Sequence, residues 1–400
     1  MTANRDLSKD DFPQVKIDSL RQARMDRAKE VMRQEQVDHL VLGTSDNIRY
    51  ITDYRSLIIH ELQEQVLALI DAQGDATIYG PHYKEPIENP DPQLTNITAA
   101  CPLAGWTPMW SEPETTSQTI KNHLVRARAK IVGYDYLHPV ILLRLIELLP
   151  EIKFTYIGRA LFDIRRIKTQ TELELMKFAA RDNHEALDVA FSIARPGVTD
   201  REMIAAGLKK QMELNAELLT HVTCNCHAGV GEWFPANNRA RQGEAIFIDQ
   251  VYYGFAGYSS DITRTVFIDE PPAAVIAAYE KLLEVYQMVR NAAHACVNVS
   301  ELDDLMNATL KKMGLAPAPY ALGHGIGLRV MEPPTMVRRD LCDFDVYLRS
   351  GEIIALEPET GLEVNGEWVA LKVEDCFLVE DNGLAILGRE PSVEEAILAA

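Results

Sequence analysis

With 400 residues and 47% apolar side chains, the chain is long enough for two or more domains with cores of their own, at roughly 150 residues each. A net charge of −19 argues against nucleic acid or an anionic membrane surface as partner, because either would repel it. The six cysteines, scattered apart from Cys224 and Cys226, fit reduced thiols better than a disulfide framework. The N-terminus, MTANRDLSKDD, lacks the apolar core of a signal peptide, and the longest greasy stretch, Val140 to Leu149, is interrupted by Arg144 and Glu147. The expected location is therefore cytoplasmic, with no membrane involvement.

In chain order, Leu20, Ala23, Ala28, Val31 and Met32 recur at helical spacing, predicting a helix over Ile17 to Gln34, and His39 to Leu42 reads as a strand. The segment SDNIRYITDYR reads as a loop. Further strands are predicted at Gln65 to Ile70 and Ala76 to Tyr79, and helices at Thr115 to Ala127 and Val140 to Leu149, so the first part has the composition of an α/β domain. No phosphate-binding glycine loop and no tandem repeat occurs in it. The boundary falls near Ile157 to Arg166, dividing the chain into 1–160 and 161–400. Beyond it, Thr171 with Glu174 is expected to form a capping box for a helix whose face is Leu173, Met176, Ala180, Leu187 and Phe191, and Thr199 with Glu202 repeats the signature. Strands near residue 250, helices from Pro272 and Ser300, and strands again after Gly351 do not alternate regularly, which predicts an α+β fold.

The chemistry collects around Asp249 and Asp261. Val251 to Tyr253 read as a strand, Gly254 to Gly257 as a turn and Tyr258 to Thr265 as the returning strand, a hairpin that sets two carboxylates side by side. Paired carboxylates on a ribbon can share a divalent metal or raise one another's pKa, although two aspartates alone more often cap a loop and face water. His324 lies between glycines in GHGIG, Glu357 ends the apolar run of IIALEPE, and Glu374 interrupts another in LKVEDCFLV. Each has an ordinary explanation alone, as loop histidine, cap and salt-bridge partner. Together they make a mixed oxygen and nitrogen set suited to a dinuclear Mn, Fe, Co or Zn centre.

GYSSDITRT, GHGIGL followed by EPP, LEPE and KVEDCFLV resemble, in that order, the motifs of the pita-bread metallopeptidases: methionine aminopeptidase, aminopeptidase P, Xaa-Pro dipeptidase and creatinase. DHLVLGTSDNIRYITDY is similar to the creatinase and prolidase N-terminal domain, and IRRIKTQTELELMKFAA to the linker that follows it. The resemblance implies a pita-bread catalytic domain holding two divalent ions: Asp249 on one, Asp261 and Glu374 bridging, His324 and Glu357 on the other. It also implies an activated water attacking an amide carbonyl in a small molecule or dipeptide-like substrate, with Glu357 and His324 as catalytic residues. In creatinase-like homodimers the N-terminal domain closes the neighbouring subunit's site, which makes Arg55 and His60 expected substrate contacts.

Several positions depart from the family peptidases. The two aspartates stand twelve apart, one more than in those enzymes, and Asp249 is followed by Gln250 and Val251 rather than a small residue and glycine. If the additional residue lies in the strand, Gln250 takes the ligand position; if in the turn, both aspartates stay inward. Glu232, Trp233 or Phe234 and Met331 stand where the peptidases carry substrate-binding histidines, and a thioether donates no hydrogen bond. The spacing and the Trp233-Phe234 pair resemble the dimethylsulfoniopropionate lyases, which carry a further aspartate where this chain has Val251. Trp233, Phe234, Tyr252, Tyr258 and Tyr320 could line a pocket for a cation, although aromatics at such positions are more often core. Three alternatives stay open: a hydrolase of the creatinase and prolidase type, a lyase on the same fold, and a metal-poor ligand-binding relative. His221, Cys224, Cys226 and His227 match no zinc-site spacing.

Overall fold

The computed structural model describes residues 17–55, 66–104, 112–219, 222–226, 234–336 and 338–396. The chain forms two compact units, Met1–Arg165 and Arg166–Ala400. In the first, strands β1 (His39–Leu42), β2 (Leu67–Asp71), β3 (Ala76–Gly80), β4 (Ile87–Glu88), β5 (Ile97–Pro102), β6 (Ile131–Tyr134) and β7 (Lys153–Tyr156) make a seven-stranded mixed sheet in the order β4-β5-β3-β2-β1-β6-β7. Helices α1 (Ile17–Gln34), α2 (Ser45–Thr52), α3 (Pro113–Ala127) and α4 (Pro139–Leu148) flank it in sequence. Val41, Leu69 and Val132 of the strands, with Ile120, Leu124 and Leu145 of α3 and α4, belong to one buried core.

Helix α2 replaces the expected loop at SDNIRYITDYR. Its apolar signal is only Ile48 and Ile51. What fixes it is polar and distant in sequence: Arg165 Nη1 donates to Asp46 Oδ2 (2.5 Å) and Asn47 Oδ1 (2.9 Å), and Asn47 Nδ2 donates to Asp135 Oδ2 (2.9 Å). Asp53, in the left-handed conformation at φ +56, ends the helix.

In the second unit, α5 (Gly158–Arg166) having run up to the division, the chain continues as α6 (Gln170–Phe191) and α7 (Asp200–Glu213). Helix α6 is capped by Thr169, whose hydroxyl accepts from Glu172 N (3.2 Å) while Glu172 accepts from Thr169 N (2.7 Å), so the capping box sits two residues before the expected Thr171 and Glu174. TQTELE contains both boxes. The first forms around Glu172, which is buried and also accepts a hydrogen bond from Tyr258 Oη at 2.5 Å. The Thr199–Glu202 box forms where expected.

Strands β8 (Val222–Asn225), β9 (Glu244–Tyr253) and β10 (Ser259–Ile268) form a three-stranded sheet. After helices α8 (Ala273–Ala292) and α9 (Val299–Lys312), a five-stranded sheet is built from β11 (Gly323–Gly325), β12 (Glu332–Thr335), β13 (Ile353–Leu356), β16 (Asp375–Glu380) and β17 (Gly383–Ile386), in the order β12-β11-β13-β16-β17. A two-stranded ribbon, β14 (Glu359–Val364) and β15 (Glu367–Lys372), precedes β16. Tyr279, Leu282, Val285 and Tyr286 of α8, with Met306 and Leu310 of α9, pack with Leu356, Leu371 and Phe377 into the core under the strands that carry the site. The architecture is α+β, as its irregular order of elements indicates.

One buried and one half-buried histidine make this fold acid-sensitive. His184 on α6 is enclosed, with Nε2 accepting from Arg389 N (3.2 Å), and burial, then the Arg264 and Arg389 cations, push its pKa down to about 2. Burial, then Arg126 and His39, push His123 down to about 4. Unfolded histidines protonate near pH 6.5 while these remain neutral in the fold, so acid favours the unfolded chain. Stability is complete above about pH 6.5 and is lost as pH falls below it, at about 1.4 kcal/mol per pH unit and per histidine, down to each folded pKa. Urea unfolding at pH 7, 6 and 5 should show the slope reduced in His184→Gln, which keeps an acceptor for Arg389 N. An unchanged slope would mean that His184 does not titrate on unfolding.

Candidate metal centre

Strands β9 and β10 pair without interruption from Tyr253–Ser259 to Glu244–Ile268, closed by Gly254 N donating to Tyr258 O (2.9 Å). The additional residue therefore lies in the loop at 254–258, where Ala256 and Gly257 hold positive φ, and not in a strand bulge. Thr263 lies opposite Asp249 and Val251 opposite Asp261. Side-chain alternation puts Asp249, Val251, Asp261 and Thr263 on one face, with the carboxylates on a diagonal. Gln250 faces the other way: its Nε2 donates to Asn183 Oδ1 (2.9 Å), and Asn183 Nδ2 donates to Gln250 O (2.7 Å) and Ser260 O (3.2 Å). One helix side chain thus fastens both strands and holds Asp249, not Gln250, on the site face.

His324 is set into β11 by its flanking glycines. A Cβ on Gly323 would lie 2.0 Å from Ala355 O, and one on Gly325 2.4 Å from Pro333 C, so only glycine permits these strands to close around the imidazole. His324 Nδ1 is 3.1 Å from Gly325 O. A carbonyl only accepts, so Nδ1 carries a proton and Nε2 is the nitrogen turned toward the carboxylates. Nε2 stands 3.7 Å from Asp261 Oδ2, 3.7 Å from Glu357 Oε1 and 3.9 Å from Glu374 Oε1.

Glu374 follows β15 and is laced to β10 by paired backbone bonds with Thr263 and by Thr263 Oγ1 donating to its Oε2 (2.8 Å). Lys372, two residues earlier and buried, turns its Nζ into the same cluster. It lies 2.7 Å from Asp249 Oδ2, 2.8 Å from Glu357 Oε2 and 3.3 Å from Glu374 Oε2. Lys372 belongs to the KVEDCFLV motif, where sequence reasoning singles out only Glu374. The signal was its spacing: Leu371 and Val373 alternate into the core, which puts Lys372 with Glu374.

The electrostatics follow from burial. Asp261 is held well above the ordinary carboxylate range, first by loss of water, then by Glu374 and Asp249, with Lys372 opposing. Glu374 is raised by the same loss of water and by Glu357 and Asp249, against the pull of Lys372. Burial would lower the Lys372 pKa, but Asp249, Glu357 and Glu374 outweigh it and hold the ammonium well above its usual value.

A divalent ion fits one position. Asp261, His324 and Glu374 offer ligand atoms within 4.8 Å of one another, and Asp261 Oδ1 and Glu374 Oε1 are buried without a hydrogen-bond partner among the described residues. At 3.7 and 3.9 Å the Nε2 contacts to Asp261 Oδ2 and Glu374 Oε1 are too long for hydrogen bonds. Ligands about 2.0–2.2 Å from a common ion lie roughly 3–4 Å apart, so the spacing suits a cation between them. The second expected ion does not fit in the same way: among Asp249, Glu357 and Glu374 stands the Lys372 ammonium.

The expected substrate contacts are dispersed. Tyr320 is partly exposed and close enough to Glu357 and Lys372 for their charges to act on its hydroxyl. Met331 and Phe234 are exposed at 61% and 88%. Tyr258 is instead buried with its hydroxyl on Glu172, and Tyr252 with its hydroxyl on Asp182 and Leu214 O, so both serve to fix the hairpin to α6 and its neighbours. Arg55 Nη2 lies 3.7 Å from Asp53 Oδ1 in the first unit. Trp233, Glu232, His60, His221 and His227 lie outside the described residues. Cys224 and Cys226 are buried, with thiol pKa values raised chiefly by that burial, the latter to about 12, which keeps them protonated.

The model of the creatinase/prolidase N-terminal domain matches residues 24–167, and that of metallopeptidase family M24 matches residues 174–381. The chain is 27% identical over 236 residues to an Xaa-Pro dipeptidase of Pyrococcus furiosus, an alignment covering 58% of this chain and 65% of that protein. It is 24% identical over 365 residues to an uncharacterized peptidase of Staphylococcus saprophyticus, covering 90% of this chain and 97% of the relative. Among solved structures, an X-Pro aminopeptidase from Thermotoga maritima superposes with a TM-score of 0.75 at 20% identity, over 92% of this chain and 98% of the other. The prolidase from Pyrococcus furiosus does so with 0.69 at 20% identity, over 91% and 100%. With more than half of its length matched by that family's model, the chain belongs to metallopeptidase family M24, a family of metal-dependent hydrolases, and carries a creatinase/prolidase-type N-terminal domain.

Proposed function

We propose that the chain cleaves a C–N amide bond in a small, dipeptide-like molecule at the centre formed by Asp261, His324, Glu357 and Glu374. The observation that carries this reading is the convergence of Asp261, His324 and Glu374 on one point, with buried carboxylate oxygens lacking any donor among the described residues. A divalent ion held by these residues supplies Lewis-acid polarisation of the carbonyl and lowers the pKa of water at the site. The chain's own residues do the rest. Glu357 is the most accessible of the cluster's acids, its side chain 16% exposed against 1–9% for Asp249, Asp261 and Glu374, and so can take a proton from water and pass it to the leaving nitrogen. Lys372 neutralises the oxygen of Glu357 turned away from His324 and orients it. Tyr320, partly exposed and within reach of the charges of Glu357 and Lys372, and exposed Met331 are assigned to substrate contact, together with Trp233 and Phe234 and, in a homodimer, Arg55 and His60.

The lyase reading is less well supported. Its additional aspartate ligand would occupy the position of Val251, which is apolar and fully buried, and two of the five pocket aromatics, Tyr252 and Tyr258, are engaged in the interior.

The test is turnover of Xaa-Pro and other dipeptides, creatine, ectoine and dimethylsulfoniopropionate by protein loaded in turn with Mn, Fe, Co and Zn, with products identified. Amine release from an amide, lost with chelator and restored by metal, is expected. Elimination from dimethylsulfoniopropionate without any amide cleavage would replace this reading with the lyase.

A further inference from the structure

We infer that the centre is built for one divalent ion and one protein cation, with the Lys372 ammonium standing where a second ion would be. The inference rests on the metal-dependent reading above and sharpens it. The oxygens of the cluster divide into two sets. Asp261 Oδ2, Glu357 Oε1 and Glu374 Oε1 surround His324 Nε2 at 3.7–3.9 Å. Asp249 Oδ2, Glu357 Oε2 and Glu374 Oε2 surround Lys372 Nζ at 2.7–3.3 Å. Glu357 and Glu374 each turn one oxygen to each set, so they are the bridging carboxylates, and Asp249 is bound, among the described residues, to the ammonium alone.

An ammonium offers three donors in a compact head and here meets three carboxylate oxygens, which satisfies it. A divalent ion cannot share that point with Nζ, and Lys372 is 1% exposed, anchored by backbone bonds from its amide to Thr265 Oγ1 (3.2 Å) and from Thr265 Oγ1 to its carbonyl (2.8 Å). The stem therefore has little room to withdraw. Replacing a divalent ion by a lysine also changes what the second position can do. It still neutralises Asp249 and orients Glu357, but it offers no open coordination site, which puts substrate polarisation on the single ion.

The experiment is a metal count on chelator-stripped, Mn(II)-reloaded full-length protein by elemental analysis, with the electron paramagnetic resonance spectrum of the bound ion. One ion per chain with an uncoupled Mn(II) signal is expected in the wild type, and the same count in Asp249→Asn, because Asp249 belongs to the set around the ammonium. Lys372→Met is expected to raise the count to two and to introduce exchange coupling. Two ions in the wild type, or loss of one ion on Asp249→Asn, would overturn the inference while leaving the hydrolase reading standing. No ion in the wild type would overturn both. A folded Lys372→Met that still holds one ion also overturns it, and if that variant does not fold, the wild-type and Asp249→Asn counts decide.

Discussion

Asp261→Ala is expected to lower kcat/KM by at least about a thousandfold, about 4 kcal/mol of transition-state stabilisation, and to abolish tight metal retention. The carboxylate is the one contributed to the ion by the hairpin itself, and among the described residues its strand neighbours are not placed to substitute. Gln250 is turned to Asn183, Val251 is apolar and Asp249 is bound to Lys372. Substitution by asparagine has a second, opposite consequence that a merely structural residue would not show. In metal-free protein Asp261 and Glu374 are crowded, buried acids, each with its ionised form disfavoured by loss of water and by the other negative charges. Asp261→Asn keeps the shape and removes one charge, so the chelator-treated variant should melt at a higher temperature than chelator-treated wild type, while its metal-dependent rise in Tm disappears. Calorimetric scans with chelator and with Mn(II) read both effects. A variant that keeps wild-type turnover, or that loses stability equally with and without metal, would show that Asp261 is not a ligand.

The hairpin was legible because its strands and turn are local features: apolar and aromatic alternation in both strands, and Gly257 at one of the two positions where the loop needs positive φ. Which way Asp249 faces was not legible from spacing alone, since an additional residue in the strand or in the loop leaves the same count. Asn183, sixty-seven residues away, fixes the answer by binding Gln250 on the opposite face. Helix α2 hid for the same kind of reason, its polar residues Asp46 and Asn47 being satisfied by Arg165 from far along the chain. The overlapping capping boxes in TQTELE differ only in which glutamate a buried tyrosine can reach. Lys372 shows the limit most clearly. Glu374 stands out in the sequence as an acid within an apolar run, yet a cation that meets the cluster lies two residues before it in the same motif, and only the side-chain positions reveal that its ammonium meets three carboxylates rather than solvent.

Arg264→Met should destabilise the second unit by about 3–5 kcal/mol, a loss typical of breaking a buried charge pair by removing one partner. Arg264 is 1% exposed and spends its guanidinium on five acceptors: Asp375 Oδ1 (2.8 Å), Arg389 O (2.8 Å), Thr263 O (3.0 Å), Glu374 O (2.9 Å) and Glu395 Oε2 (3.3 Å). The side chain therefore ties β10 to the segment after β15 and to the C-terminal chain at once. Its loss leaves the Asp375 carboxylate buried with Tyr286 Oη (2.7 Å) as its remaining strong donor, and the Asp375 pKa, already pushed up to about 6 by burial against the pull of Arg264, would rise further. Because two of the five acceptors are the carbonyls of Thr263 and Glu374, the damage should extend to the metal centre, with weaker retention of the ion even at temperatures where the variant is folded. Arg264→Lys, which keeps the charge but cannot reach five acceptors, should recover only part of the stability. Arg264→Met combined with Asp375→Leu should recover more of it than the single variants' losses predict by addition, because the orphaned carboxylate is gone. Urea unfolding of the four proteins measures this coupling. A loss below about 1 kcal/mol for Arg264→Met, the size expected of an exposed pair, would show that the network is not what holds the strands of the site together.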